Sequence, residues 1–354
     1  MTNLFLDGSK LFHQLDRLGS WTRGEPIAPV HAEVGITSKC NQRCYFCYAD
    51  HLDHKMGTLQ RDMLMQLMGD LGATGIRSCL FAGDGEPLSH KDCVDAVIAG
   101  VEAGVDMAVN SNGVLLSESM AEVMLPYLTW MRFSIMGHDA ETYSKIHVTN
   151  PRDLEKALAN ITMAVDIKKR RNLNVTIGIQ SVLMPENGHG LAILAEKARQ
   201  TGADYFVIKP FSYNPLNEYD GGRPLDLVRE FENVLLEAEA LTTDDFTVIV
   251  RRNTFSDNGV RDYDKCLGLP FITQIAADGK VYSCCPFFGN EDYVLGDLHE
   301  HRFQDLWFSD KAEAVRKRVE ETQDVHACMT FCRHHQINRQ LWQLKNPPDH
   351  VNFI

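Results

Sequence analysis

The chain has 354 residues, 44% of them apolar, enough to build a core for one large domain or two ordinary ones. A formal net charge of −13 argues against nucleic-acid binding, which leans on clustered Lys and Arg; the short basic run at 167–172 reads as a solvated helix end. No apolar run approaches the ~20 residues that span a bilayer and the first residues lack a signal-peptide pattern, so the expectation is a cytoplasmic chain with no membrane partner, where ten cysteines point to metal sites rather than disulfides.

From about residue 31 to 210 apolar runs alternate with amphipathic stretches. Strands are predicted at 31–37, 76–83, 105–113, 130–137, 174–184 and 204–210. Between them lie helices: Leu59, Met63, Leu67 and Leu71 recur every fourth residue, and Val94, Val97, Ile98 and Val101 mark the next. A third helix has Ser117 as N-cap, and others cover 139–147, 152–170 and 188–201. The strands are apolar rather than alternating, as in parallel sheets covered on both faces. Six β–α units fall short of the eight of a closed barrel, so the fold class is α/β, a partial (β/α)6 TIM-type barrel with its site at the C-terminal strand ends. Beyond a Pro/Gly/Asn-rich connection at 211–224, the sequence predicts a helix at 225–241, a strand near 246–251, a hairpin over 271–285 turning at Asp278-Gly279, and helices near 303–320 and 331–345. This second part is a small α+β domain. The division is 1–30 as an N-terminal extension, 31–212 as the barrel and 213–354 as linker helix and C-terminal domain.

Three cysteines end the first strand, Cys40, Cys44 and Cys47, in C-x3-C-x2-C order. An odd trio does not make disulfides. Zinc in a closed site wants a fourth ligand, for which His51 or His54 is at hand. A four-iron cubane held by three thiolates leaves one iron open for a ligand. The other motifs also end strands: "GDGEP" at 83–87, "NSNG" at 110–113 and "RFSIMG" at 132–137.

With these in order, residues 31 to about 210 resemble the radical S-adenosylmethionine (radical SAM) superfamily. The resemblance implies a 4Fe-4S cluster on Cys40, Cys44 and Cys47, with S-adenosylmethionine on the open iron. It implies cofactor contacts from Phe46 beside adenine, Gly85 by close backbone approach, Glu86 to the ammonium, Pro87 holding the turn, and Asn112 and Ser134 to ribose or carboxylate. Many relatives continue the fourth strand as Ser-x-Asp-Gly; here it reads Ser134-Ile135-Met136-Gly137-His138, so the aspartate's role is unfilled or passes to His138 or Asp139. An external one-electron reductant of flavodoxin or ferredoxin type is implied.

Cys266, twelve residues, Gly279, four residues and Cys284, followed by "CMTFC" with Cys328 and Cys332, resemble the SPASM and twitch extensions of this superfamily. The resemblance implies one auxiliary 4Fe-4S cluster on Cys266, Cys284, Cys328 and Cys332, with Cys285, His326, His334 or His335 as possible substitutes. Cys79 and Cys93 read as buried small apolar residues. Twitch relatives act on small molecules, and the extension of about 30 residues is short for a peptide-recognition domain. The expected activity is therefore oxidation of a small polar metabolite (sugar, aminocyclitol or nucleoside), with the auxiliary cluster accepting the electron. Lys209 and Tyr213, at and beyond the sixth strand, are the candidate catalytic residues, with His189 a further base. A redox-neutral epimerase or mutase using a thiol, a peptide-modifying enzyme, and a non-catalytic iron–sulfur carrier are the alternatives.

Overall fold

The structure is a computed structural model and describes residues 9–214, 216–257 and 259–353. Ten strands form one sheet: β1 (His31–Val34), β2 (Ser78–Phe81), β3 (Asp106–Ser111), β4 (Leu128–Ser134), β5 (Thr176–Leu183), β6 (Tyr205–Pro210), β7 (Thr247–Val250), β8 (Ile272–Ile275), β9 (Lys280–Tyr282) and β10 (Val294–Asp297). Their order is β10-β9-β8-β1-β2-β3-β4-β5-β6-β7. Strands β1 to β6 are successive parallel neighbours, the six predicted units. The sheet then runs past them on both sides. β7 adds parallel to β6, and β8 adds parallel to β1, so the hairpin of the second part covers an edge that would otherwise be unpaired.

Side chains alternate across each strand. On β4, Met131 and Phe133 are fully buried in the main core under the helices. Trp130 and Ser134 face the barrel interior, where they line cavities at opposite ends. The helix Arg61–Thr74 buries Leu64, Leu67, Met68 and Leu71. That face is one step round from the strict four-residue spacing in the sequence, because a 3.6-residue turn drifts against it. In the helix Cys93–Glu102 the face against the sheet is Cys93, Ala96, Val97 and Gly100. A Cβ on Gly100 would lie 2.4 Å from the Met107 sulfur, so the small residues set the close approach. Cys79 and Cys93 are fully buried in this core.

The predicted helix at 225–241 is two, Pro224–Glu230 and Glu232–Glu239. The one near 303–320 breaks after Phe303–Trp307 and restarts at Asp310, where Ser309 Oγ accepts from Ala312 N at 3.2 Å. β10 and a helix at Leu15–Thr22 have no counterpart in the sequence reading. Both are short, and the helix lacks a side-chain N-cap. The C-terminal part is clasped to the barrel. Asp70, buried on a barrel helix, accepts from Arg302 Nε at 2.8 Å and Phe303 N at 3.1 Å. The helix His335–Lys345 buries Leu341 with Leu11, Leu18 and Phe271 at the N-terminal mouth of the barrel. Among the described residues no helix is long and apolar enough to cross a membrane.

Candidate active site

A cavity of about 260 Å³ lies at the C-terminal ends of the parallel strands. The loop after β1 brings Cys40, Cys44 and Cys47 to its wall, and the loop after β2 brings Gly85 and Glu86. Asn112, Ser134 and Lys209 arrive from the ends of β3, β4 and β6, and Phe46 from the cysteine loop. Motifs more than 160 residues apart in sequence therefore meet on one surface. Pro87 lies just behind it, opening the short 3-10 turn Pro87–Ser89 with Glu86 as its cap. Tyr213 is 36% exposed and lines no part of the cavity. His138 and His189 pack ring to ring at 5.1 Å away from it, and Asp139 caps the helix Ala140–His147 through Thr142 N.

The cysteine loop fits a cluster better than a lone ion. Among the described residues no three Cys, His, Asp or Glu side chains converge as a single ion requires. In a cubane each thiolate takes a different iron. Of the two histidines a zinc site would need, His54 Nδ1 bonds Ser38 O at 3.0 Å and His51 Nδ1 bonds Asn217 Oδ1 at 3.3 Å; their Nε2 atoms are buried without a partner, but neither joins the cysteines in a group that could hold a single ion among the described residues. Burial pushes the Cys40 thiol up to about 11, Cys47 to about 12 and Cys44 well above its usual value. A bound cationic cluster would supply the charge that stabilises the thiolates.

Sequence reasoning missed His147. Its Nε2 accepts the Met136 amide at 3.1 Å, which makes it neutral with the proton on Nδ1. That Nδ1 lies 2.9 Å from Gln42 Oε1 and 3.2 Å from Cys44 Sγ. Burial holds the imidazole down to about 3, so it stays neutral. A hundred residues separate it from the cysteines, and no local pattern marks it.

Glu86 is buried. Its carboxylate accepts from Ser111 Oγ and Asn112 N, both at 2.8 Å, and from Leu88 N at 3.1 Å. All three donors are neutral. Burial dominates and raises its pKa, so an ammonium in the cavity would be a complementary partner. Asn112 uses both ends of its amide within the protein, Nδ2 to Asn41 Oδ1 at 2.8 Å and Oδ1 from Val114 N at 3.0 Å. It anchors the cysteine loop as well as lining the cavity. Gly85 serves the loop too: a Cβ there would lie 2.3 Å from Thr37 O and 2.7 Å from Lys39 O. Its lack of a side chain lets the two motif loops touch. Phe46 stands edge-on to His147 at 5.7 Å.

Deeper in the barrel the interior is charged. Arg333, from the last cysteine segment, pairs with buried Glu33 on β1. Lys209 has no hydrogen-bond or ion-pair partner among the described residues, and it lines the cavity. Burial, with Arg132, Arg333 and Arg251 nearby, brings its ammonium down to about 7.

The second cysteine group is also assembled. The ionisation of Cys332 is opposed by burial, then by Cys266 and Cys328, up to about 12. Cys266 is pushed up to about 11, and Asn338 Nδ2 donates to its sulfur at 3.5 Å. The Cys284 thiol is raised first by its hydrogen bond with the Cys285 thiol, and it also feels Cys332 and Cys266. His334 Nδ1 stands 4.0 Å from Cys284 Sγ, while His335 is turned to the Tyr263 hydroxyl at 3.0 Å and His326 to Asp264 at 3.5 Å. Cys285 packs with Tyr282 and Phe288 and lines neither large cavity.

Two family models match. Residues 34–198 match that of the radical SAM superfamily, and residues 266–334 match SPASM, an iron–sulfur cluster-binding domain. The chain is 22% identical over 298 residues to the tungsten-containing aldehyde ferredoxin oxidoreductase cofactor-modifying protein of Pyrococcus furiosus, covering 78% of this chain and 80% of that one. It is 22% identical over 325 residues to the AdoMet-dependent heme synthase of Methanosarcina barkeri, covering 85% and 88%. Streptococcus suis SuiB bound to S-adenosylmethionine shares the fold, with a TM-score of 0.65 at 15% identity over 89% of this chain and 74% of that one. SuiB has also been solved bound to its precursor peptide SuiA.

Proposed function

Since the chain belongs to the radical SAM superfamily and ends in a SPASM iron–sulfur domain, with S-adenosylmethionine and iron–sulfur clusters as its cofactors, we propose that it oxidises a small polar metabolite by hydrogen abstraction inside the barrel. When bound, the cluster and S-adenosylmethionine supply a 5′-deoxyadenosyl radical, and the auxiliary cluster supplies an electron acceptor. Cys40, Cys44 and Cys47 would hold the first cluster, with Gln42 and His147 fixing Cys44. Glu86 would hold the ammonium of S-adenosylmethionine, Ser134 would offer its hydroxyl, and Phe46 would lie along the adenine. Cys266, Cys284, Cys328 and Cys332 would hold the auxiliary cluster. Residues 31–212 would form the catalytic unit and 213–354 the auxiliary one.

Lys209 carries the reading towards oxidation. It lines the cavity without a hydrogen-bond or ion-pair partner among the described residues, and burial brings its ammonium down to about 7, so its free amine is within reach near neutral pH to take the proton that a substrate O–H or N–H loses. Tyr213 is too exposed to share that role. Cys285, the thiol that a redox-neutral reaction would use, pairs with Cys284 and does not reach the cavity. The test is anaerobic incubation with dithionite, S-adenosylmethionine and panels of sugars, aminocyclitols, nucleosides and peptides, reading 5′-deoxyadenosine formed per product. One 5′-deoxyadenosine per oxidised small molecule supports the reading. Product only from peptides, or solvent deuterium at an epimerised carbon, overturns it.

A further inference from the structure

The two cysteine groups sit in fields of opposite sign. Cys40 and Cys44 both feel the buried carboxylate of Glu86. Beside the second group the buried charge is a cation. Arg261 is 7% exposed. Its Nη2 donates to the Met329 carbonyl, inside the segment that carries Cys328 and Cys332, and its Nε donates to the Tyr263 hydroxyl at 3.2 Å. Both partners are neutral, and among the described residues no carboxylate forms an ion pair with it. Cys266, Cys328 and Cys332 all lie within electrostatic reach of this guanidinium. Asp324, which Cys328 also feels, is exposed to solvent, and Arg333 is held by Glu33.

A buried cation is costly unless an anion offsets it. A 4Fe-4S cluster held by four thiolates is net negative, and one-electron reduction makes it more so. Arg261 would therefore be offset by such a cluster, and most fully by its reduced state. Asn338 adds a directed donor from the helix His335–Lys345. Its Oδ1 accepts from Gly268 N at 2.7 Å, which fixes the amide with Nδ2 turned to the Cys266 sulfur at 3.5 Å. Hydrogen bonds to the sulfurs and the charge around a cluster both set its reduction potential. Here the two act in the same direction.

We infer that Arg261, supported by Asn338, is a positioning residue for electron transfer: its buried guanidinium raises the potential of the auxiliary cluster and so makes that cluster an electron acceptor. In the oxidation proposed above, the substrate loses a hydrogen atom to the 5′-deoxyadenosyl radical, a proton to Lys209 and an electron to the auxiliary cluster, leaving a product oxidised by two electrons. A higher acceptor potential favours the last of these. The inference rests on the assignment of that cluster to Cys266, Cys284, Cys328 and Cys332.

The experiment reduces the reconstituted full chain stepwise without oxygen and follows its electron paramagnetic resonance against potential. The signal that S-adenosylmethionine leaves unmoved belongs to the auxiliary cluster, because the other cluster has the open iron. Arg261→Gln keeps a donor for the Met329 carbonyl but removes the charge. It should lower the midpoint of that signal by about 59 mV, a tenfold change for a one-electron couple, with iron content unchanged. Arg261→Lys should restore most of the loss, and Asn338→Ala should lower the midpoint by less. Equal midpoints in wild type and Arg261→Gln overturn the inference. Where Arg261→Gln fails to hold the second set of irons, equal midpoints in wild type and Asn338→Ala overturn it. A wild type with no second signal refutes the auxiliary cluster itself, and the inference falls with it; two signals with an unmoved midpoint refute the inference alone.

Discussion

His147 is a buried base and Lys209 a partly buried one, used in opposite ways. His147 is locked between a backbone amide, Gln42 and the Cys44 sulfur, so its work is to orient a would-be cluster ligand. Outer partners of this kind typically change metal affinity or activity 10–100-fold. His147→Phe is expected to keep iron but slow S-adenosylmethionine cleavage about tenfold. Iron per chain and the rate of 5′-deoxyadenosine formation check it together; an unchanged rate would leave His147 as packing only. Lys209 has no such partner among the described residues, and burial with nearby arginines brings its ammonium down to about 7. Its useful form is the free amine, which grows as pH rises. Product formation should therefore climb through about pH 7, and Lys209→Met should lose that product while cleavage of S-adenosylmethionine continues. A profile flat between pH 6 and 8, or full turnover by the variant, would remove it as the base.

Among the elements, the contact between the β1 and β2 loops decides whether the site forms. Gly85→Ala puts a methyl group 2.3 Å from the Thr37 carbonyl oxygen, a backbone atom that cannot swing away. The expected cost is about 2–4 kcal/mol of stability, with loss of S-adenosylmethionine cleavage. Gly69, exposed on the helix Arg61–Thr74, is the control: nothing lies within 4 Å of its would-be Cβ, so Gly69→Ala should stabilise by about 0.5–1 kcal/mol. Thermal unfolding of the two variants separates them, and equal behaviour would contradict the close-packed loops. These loops were legible in the sequence because motif order and strand periodicity are local signals. What joins them was not. His147, the Arg333–Glu33 pair and the register of β8 on β1 are contacts across the fold, with no local pattern to announce them. Tyr213 failed to reach the cavity for the same reason: its position after a strand was readable, the course of its loop was not. The motif marks Gly85 as room for a ligand, and its missing side chain also makes room for the Thr37 and Lys39 backbone.

For the whole molecule, one sheet carries both cysteine groups, with Arg333 reaching from the second into the barrel beneath the first. The account predicts about eight irons per chain after anaerobic reconstitution, four for each of two clusters. A plateau near four would remove the auxiliary cluster, and Cys328→Ala should lower the count by about four while leaving some S-adenosylmethionine cleavage. The most direct measurement is simpler. Reconstituted wild type and Cys44→Ala are each given S-adenosylmethionine and dithionite without oxygen, and 5′-deoxyadenosine is quantified. The account predicts steady formation by wild type and none by Cys44→Ala. A wild type that forms none, or a variant that forms as much, would contradict it.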